Sequence, residues 1–386
     1  MTVEVLIVSS FWASLTFVFY TYVGYPLTLI VLAYIRTAPV RKNSDFMPTV
    51  SFVILAHNEE TVIRRKLENT LALDYHETPF QIVVASDGSH DRTNAIVREF
   101  KDMRILLLDF TEREGKTQVL NKTIPLCRGE IIILSDARQN YATNAVCELA
   151  ANFADPSVGS VTGDIQFENG LSNAGDDQIS LYWRYEKWIR QFQSKRNSTP
   201  VVTGAIYAIR RSLFRPLPRR MIADDLVMPM TIVRQKYRVI YDPAAKAFDN
   251  YPRSLREEFR RRVRTIAGSY QYLIQNPSLL IPITNEIWFD FVSHKVCRIL
   301  APIALCILFI SNVFLQYWPY RLLLVSQIIF YITAGIGAAL AGRGKLPKLL
   351  SAPCTFLILN VAAAVALFKL SVGTQSHLWE KTQNAG

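Results

Sequence analysis

At 386 residues, half of them hydrophobic and with a formal net charge of +11, the chain is long enough for one large or two small domains with a buried core. Its five cysteines form no CxxC pair and share no zinc-type spacing with the five histidines, which argues against a disulfide framework or a structural zinc site. The positive balance suits work at an anionic membrane leaflet or on phosphate-bearing substrates, and the lack of any recognised nucleic-acid module argues against nucleic acid as a partner.

Residues 5–35 carry no charge and are long enough to cross a bilayer, with room for tilt or a bend near Pro26. No basic residue precedes this run, and it is too long for a cleavable signal. Arg36, Arg41 and Lys42 follow it instead, so residues 1–44 read as a retained anchor and basic linker, N-terminus outside and next segment cytoplasmic.

From residue 45 to about 285 short apolar runs alternate with helical stretches. TVSFVILA (49–56), FQIVVASD (80–87), RILLLDF (104–110) and EIIILSD (130–136) read as strands, with helices after 56, over 92–100 and around 116–127. Strands this apolar, alternating with helices, predict an α/β domain whose mainly parallel sheet is covered on both faces. Ligands of such sheets sit where the strands' carboxyl ends open onto loops. Asn58, Glu59, Asp87 and Asp136 all fall at or just beyond those ends.

DGSHDRT (87–93) suits either a tight turn whose amides meet a nucleotide or a helix N-cap. In REGKTQVLN (113–121) the GKT suggests a phosphate loop, but that loop needs glycine where Phe110 stands, which excludes a Walker-type ATPase. Lys116 remains either a point charge against a diphosphate or a solvated lysine at a helix start. In SDARQNY (135–141) Asp136 has the hard oxygens that bind Mg²⁺ or Mn²⁺, whereas Arg138 cannot ligate a metal.

LYWRYEKWIRQF (181–192) interleaves aromatic and charged residues on one predicted helix. It reads either as an acceptor-binding face that includes Tyr185 and Glu186 or as an interfacial helix. MIADDLVMPM (221–230) sets Asp224 beside Asp225 in an apolar segment, where burial and like charge raise a carboxyl pKa toward that of a general base; acids at a helix N-terminus are the simpler reading. In RSLREEFRRRVRTIAG (253–268), Glu257 and Glu258 can pair with Arg261 and Arg262 across a turn. Arg264, followed by small residues, reads as a buried cation awaiting an anion.

EIWFDFVSHKVCRIL (286–300) reads as an amphipathic helix on the membrane surface. Apolar runs near 299–318, 322–341 and 350–370 follow, making about four spans in all, with residues 286–386 as the C-terminal membrane part. Too few spans and no intramembrane charges argue against a transporter.

Taken in order, ILAHNEE, ASDGSHD, GKTQVLN, LSDA, TGAIYAIRR, ADD and RRVRT resemble the successive signatures of processive-type family 2 glycosyltransferases, the group of cellulose, chitin, hyaluronan and poly-N-acetylglucosamine synthases. The resemblance runs from about Val50 to Gly268 and takes in the flanking spans. It implies a GT-A, Rossmann-like mixed sheet and inverting transfer from a UDP-sugar with Mg²⁺ or Mn²⁺. By it, Ala56, Glu59 and Asp87 face the uridine, Lys116 the diphosphate, and Asp136 the metal. Asp225 is the base with Asp224 in support, and Arg264 clamps the pyrophosphate. Thr203 and Gly204 border the acceptor, with Arg261 on the same side. Two positions depart from the family pattern: Arg138 replaces the second metal-motif Asp, and RRVRT lacks the Gln and Trp of QxxRW.

The resemblance implies an enzyme of the plasma or inner membrane with a cytoplasmic catalytic domain, extending a polysaccharide. Alternatives are transfer of one sugar to a lipid acceptor such as a polyprenyl phosphate or sphingolipid, and a non-catalytic nucleotide-binding subunit. Four spans are few for a self-sufficient channel, so an export partner or homo-oligomer is expected.

Overall fold

A computed structural model of the chain describes residues 3–75, 78–168, 176–250, 255–340 and 347–376. Helices α1 (Val3–Phe19) and α2 (Tyr25–Ile35) join through a π-turn at Tyr20–Gly24. Pro26 cannot donate to the carbonyl of Tyr22. That oxygen accepts a hydrogen bond from Tyr185 Oη at 3.0 Å, so the break in the helix ties the membrane segment to the globular domain.

The domain is built on strands β1 (Val50–Ala56), β2 (Phe80–Asp87), β3 (Ile105–Phe110), β4 (Ile131–Asp136), β5 (Asn140–Tyr141), β6 (Val158–Glu168), β7 (Tyr207–Arg210) and β8 (Arg238–Asn250). They form one sheet in the order β3-β2-β1-β4-β7-β6-β8-β5. β1 to β4 pair in parallel, β7 runs antiparallel to both β4 and β6, and β6 pairs in parallel with β8. The antiparallel β7 places residues 203–206 beside the carboxyl end of β4.

Between the strands run α3 (Ile63–Leu71), α4 (Thr93–Glu99), α5 (Lys116–Thr123), α6 (Ala145–Ala151), α7 (Asp176–Arg196) and α8 (Asp224–Arg234). Because successive strand residues point to opposite faces, β1 splits its side chains between two cores. Val53 and Leu55 join α5 and α8 through Leu120, Leu226 and Met230. Phe52 and Ile54 join α3, α4 and α6 through Leu67, Ile96 and Leu149. Cover on both faces is what the near-continuous apolar strands demand.

The chain continues through α9 (Leu255–Gln275), α10 (Trp288–Phe291) and a π-turn at Val292–Val296 into α11 (Cys297–Phe314), then α12 (Trp318–Leu340) and α13 (Lys348–Ser371). Among the described residues, four helical stretches, Val3–Ile35, Trp288–Phe314, Trp318–Leu340 and Leu349–Ser371, are long and apolar enough to cross a membrane. Two helices fasten the domain to them. Tyr25 and Leu29 of α2 pack on Ile189 of α7, and Val263 and Ala267 of α9 pack on Ala362 and Ala366 of α13.

In the stretch 286–300, expected to be an interfacial helix, several polar side chains turn inward. Asp290 and His294 are fully buried. Arg196 of α7 is ion-paired with Asp290, which also accepts from Tyr25 Oη at 3.0 Å, and Glu186 of α7 is ion-paired with Arg298. The charges that made the segment look interfacial are the bonds that dock α7 onto the start of the second span.

At Gly268 the backbone of α9 touches the segment that leads into α8. A Cβ there would lie 2.7 Å from Ala223 Cβ and 2.8 Å from Ala223 N. Gly268→Ala is therefore expected to destabilise the protein by about 1–3 kcal/mol through overpacking. Gly335→Ala in α12, with nothing within 4 Å, is expected not to. Thermal unfolding of the two variants in detergent checks the contrast.

Candidate active site

The carboxyl end of β2 is where the site begins. Asp87 is fully buried, and its two oxygens accept from the amides of Glu114 at 2.7 Å and Gly115 at 3.0 Å. Gly115 sits at φ +87°, a left-handed conformation that side chains resist. This clamped turn launches α5, whose first residue is Lys116. Asp87, expected to face the uridine, thus holds the turn that positions Lys116. Ala56, expected beside it, is fully buried at the end of β1.

Lys116 Nζ stands 3.1 Å from Asp136 at the end of β4 and 3.1 Å from Asp224 at the start of α8. Both acids of the ADD motif occupy the first turn of α8, where the helix dipole favours negative charge. The electrostatics separate the carboxylates. Burial works against the charge on Asp136, but Lys116 and Arg138 outweigh it and hold its carboxyl below the ordinary range. Burial and then the neighbouring Asp224 push Asp225 upward, and Lys116 only partly offsets them. One acid of the site is therefore held ionised and another made more basic, a division that acid–base chemistry uses.

Beneath the β4–β5 turn lies a fully buried Lys66, whose Nζ donates to Ser135 Oγ at 2.8 Å and to the Gln139 carbonyl at 2.7 Å. It rests 4.3 Å from the centre of the Tyr141 ring, and burial lowers it to about 7. It props the loop that carries Asp136 and Arg138. Sequence reading missed it, since a lysine in IRRKLENTL looks solvent-facing.

A cavity of about 1420 Å³ gathers most of the expected residues. Glu59, Lys116 and Asp136 line it at the carboxyl-end loops of the parallel strands. Thr203, Gly204, Asp224 and Asp225 line it as well, together with Tyr185, Glu186, Arg261 and Arg264. Gly204 leaves space beside Lys116 Nζ and Asp225 Cβ, which a Cβ would meet at 3.6 and 3.7 Å. Arg264 faces the cavity with a buried Nε that has no hydrogen-bond partner, as an anion-seeking guanidinium would. Arg261 and Arg262 share Glu258 at 3.3 and 2.6 Å. The guanidinium of Arg262 lies 4.2 Å from the centre of the Tyr182 ring, so that aromatic face is taken. Glu186 is only 2% exposed and serves Arg298. Sequence reading also missed His57, Arg190 and Lys295 in this wall. Arg190 lay in a helix judged by its aromatics, and Lys295 in one judged interfacial.

Among the described residues no group of three or more His, Cys, Asp or Glu side chains gathers as a metal site. A smaller donor set is present. Asp136 faces the cavity, and Asp224 Oδ2 is buried with no hydrogen bond beyond its ion pair to Lys116. Mg²⁺-type ions are commonly held by one or two carboxylates plus substrate phosphates and water, so this donor chemistry fits a hard divalent cation.

Residues 51–217 match the sequence model of glycosyl transferase family 2. The poly-beta-1,6-N-acetyl-D-glucosamine synthase of Staphylococcus aureus is 26% identical over 239 residues, 61% of this chain and 58% of that protein. A probable glycosyltransferase of Bacillus subtilis, YdaM, is 28% identical over 244 residues with the same coverage. The alignments thus span under two thirds of these relatives. In three dimensions the chain resembles a Pyrobaculum calidifontis mannosyltransferase solved with GDP-Man and Mn²⁺, with a TM-score of 0.75, 22% identity, and coverage of 96% of this chain and 99% of that one. This likeness extends over the membrane helices and establishes the GT-A fold with its mixed, mainly parallel sheet.

Asp87→Asn replaces one acceptor by an NH₂ group aimed at a backbone N–H. Leaving a buried amide unpaired is expected to cost about 1–3 kcal/mol, read as a lower thermal midpoint. Ser86→Ala on the same strand, which loses only the 2.8 Å bond to Ser89 Oγ, is expected to cost less.

Proposed function

We propose that the chain is a family 2 glycosyltransferase that moves a sugar from a UDP-sugar, with inversion, to an acceptor hydroxyl at the cytoplasmic face of the plasma or inner membrane. The observation that carries this reading is the pairing at the start of α8. Asp224 is fixed by Lys116, and beside it Asp225 is made more basic and lines the cavity.

In this mechanism Asp225 takes the proton of the acceptor hydroxyl. The oxygen attacks the anomeric carbon as the bond to the diphosphate breaks, its electron pair leaving with UDP. Lys116 and Arg264, which both line the cavity, stabilise the growing negative charge. Asp136, with Asp224 near it, would hold Mg²⁺ or Mn²⁺, and when bound that ion neutralises diphosphate charge. Arg138 brings a fixed positive charge to the place of the second family carboxylate.

The name of the staphylococcal relatives supports a growing polysaccharide as acceptor. A specific feature favours a second reading, transfer of a single sugar to a lipid. The cavity continues past Asp225 to Tyr22, Phe356 and Asn360 on the membrane helices. Sizing the product from a UDP-sugar panel separates the two, a ladder against one glycolipid.

Asp225→Asn is expected to abolish transfer, to less than about one part in a hundred, while UDP still binds by calorimetry. Turnover by the purified variant would remove Asp225 from the base role. Asp225 must be ionised to act, so activity falls as pH drops through its raised pKa. The acid limb of kcat/KM is therefore expected above the ordinary carboxylate range of about 4. In Asp224→Asn the neighbouring negative charge is gone, so any remaining activity should show that limb moved to lower pH.

A further inference from the structure

Beyond Asp225 the cavity is lined by cations that the donor site does not use. Arg190 of α7 is 8% exposed; one nitrogen donates to Thr203 Oγ1 at 2.6 Å, and its Nε is buried without a partner. Arg298 of α11 pairs with Glu186, yet its Nε and Nη2 are buried and unpartnered. Lys295, one turn before Arg298, lines the same space and makes no hydrogen bond or ion pair among the described residues. Glu186 is the carboxylate set among them, and Arg298 holds it ionised despite its burial. Three cations around one paired carboxylate leave an excess of positive charge, and stripping charge of water without an anion is costly.

The second observation is apolar. A separate cavity of about 540 Å³ lies among the membrane helices, walled by Phe11, Leu15, Leu308, Leu323 and Phe330. Ala352 and Phe356 of α13 line both this cavity and the cationic one. A polar compartment rich in cations thus shares a wall with an oily one at membrane level. That is the shape of an amphiphile with an anionic head.

We propose that the acceptor is a membrane lipid whose headgroup pairs a phosphate with a free hydroxyl. Arg190, Lys295 and Arg298 hold the phosphate, the hydroxyl faces Asp225, and the hydrocarbon chain enters the cavity between α1, α11, α12 and α13. The assignment rests on the glycosyltransferase reading for its chemistry but not for its binding site. In the reaction the hydroxyl loses its proton to Asp225 and forms the new bond to the anomeric carbon, and the phosphate is unchanged. Charge-assisted contacts from an arginine fork and an ammonium suit phosphate oxygens, and their desolvation strengthens them.

The test measures lipid binding by native mass spectrometry of the full-length protein in detergent, without any sugar donor. Phosphatidylglycerol supplies the phosphate and hydroxyl, diacylglycerol the hydroxyl alone, and inorganic phosphate the anion without a chain. The expected result is one saturable phosphatidylglycerol site, at least about tenfold weaker occupancy by diacylglycerol, and weak competition by inorganic phosphate. Lys295→Gln and Arg190→Gln should each weaken the lipid by about tenfold, with Lys295→Arg restoring it, while calorimetric affinity for UDP stays unchanged and reports that the fold is intact. Equal binding of the neutral lipid, or inorganic phosphate that competes as strongly as lipid, would overturn the proposal. So would loss of UDP affinity in Lys295→Gln, which would assign the cations to the donor diphosphate. A transfer-competent Asp225→Asn would instead sink the base assignment and leave the lipid site standing.

Discussion

Lys116 is the ion on which the arrangement of the candidate site depends. Its ammonium bridges a carboxylate at the end of β4 and another at the start of α8, two elements that lie far apart in the chain. Without it Asp136, Asp224 and Asp225 would crowd like charges at one point, and at least one would have to take up a proton or move. With it, Asp136 stays ionised and Asp225 is left as the more basic group. The lysine is placed by backbone: the turn before α5 is held by both oxygens of Asp87, and Gly115 permits its shape. A strand end, a glycine and a lysine therefore act as one unit.

A second set of buried ion pairs joins the catalytic domain to the membrane helices. Arg196 with Asp290 and Glu186 with Arg298 cross from α7 to the start of the second span, and Tyr185 reaches the carbonyl freed by Pro26. Breaking one partner of such a pair leaves a buried charge uncompensated, so these contacts fix orientation more than they add stability. On the other side α9 lies between the domain and α13, with Gly268 pressed on Ala223 and Ala267 in contact with the membrane layer. Arg264 is consequently aimed at the site from a helix that the membrane segments hold in place.

Much of this was legible in the residues. The four parallel strands fall within a residue of their sequence reading, because uninterrupted apolar runs of that length have few other homes. The strand-end rule gathered Glu59, Asp136 and the loop of Lys116, and the apolar setting of Asp224 and Asp225 pointed to a shifted carboxyl. That both oxygens of Asp87 hold the turn before α5 was not legible, since a strand-end carboxylate looks the same whether it meets a ligand or a backbone turn. The inward pairing of Asp290 and Arg298 in the segment 286–300 was hidden for a related reason. Alternating apolar and charged residues describe an amphipathic helix, and the pattern is silent on whether water, lipid headgroups or another helix meets the charged side.

By itself, then, the sequence determined the alternation of strands and helices, the four apolar stretches, and the ordered motifs of the family, all of which depend on local periodicity or on residue identity. Tertiary structure alone decided which charges meet. That Lys116 lies between Asp136 and Asp224, that Glu186 is consumed by Arg298, and that Arg190 and Lys295 face a cavity beside Asp225 are consequences of packing elements distant in the chain. The energy of a charge is set by its neighbours and its access to water, and neither quantity is written in the order of the residues.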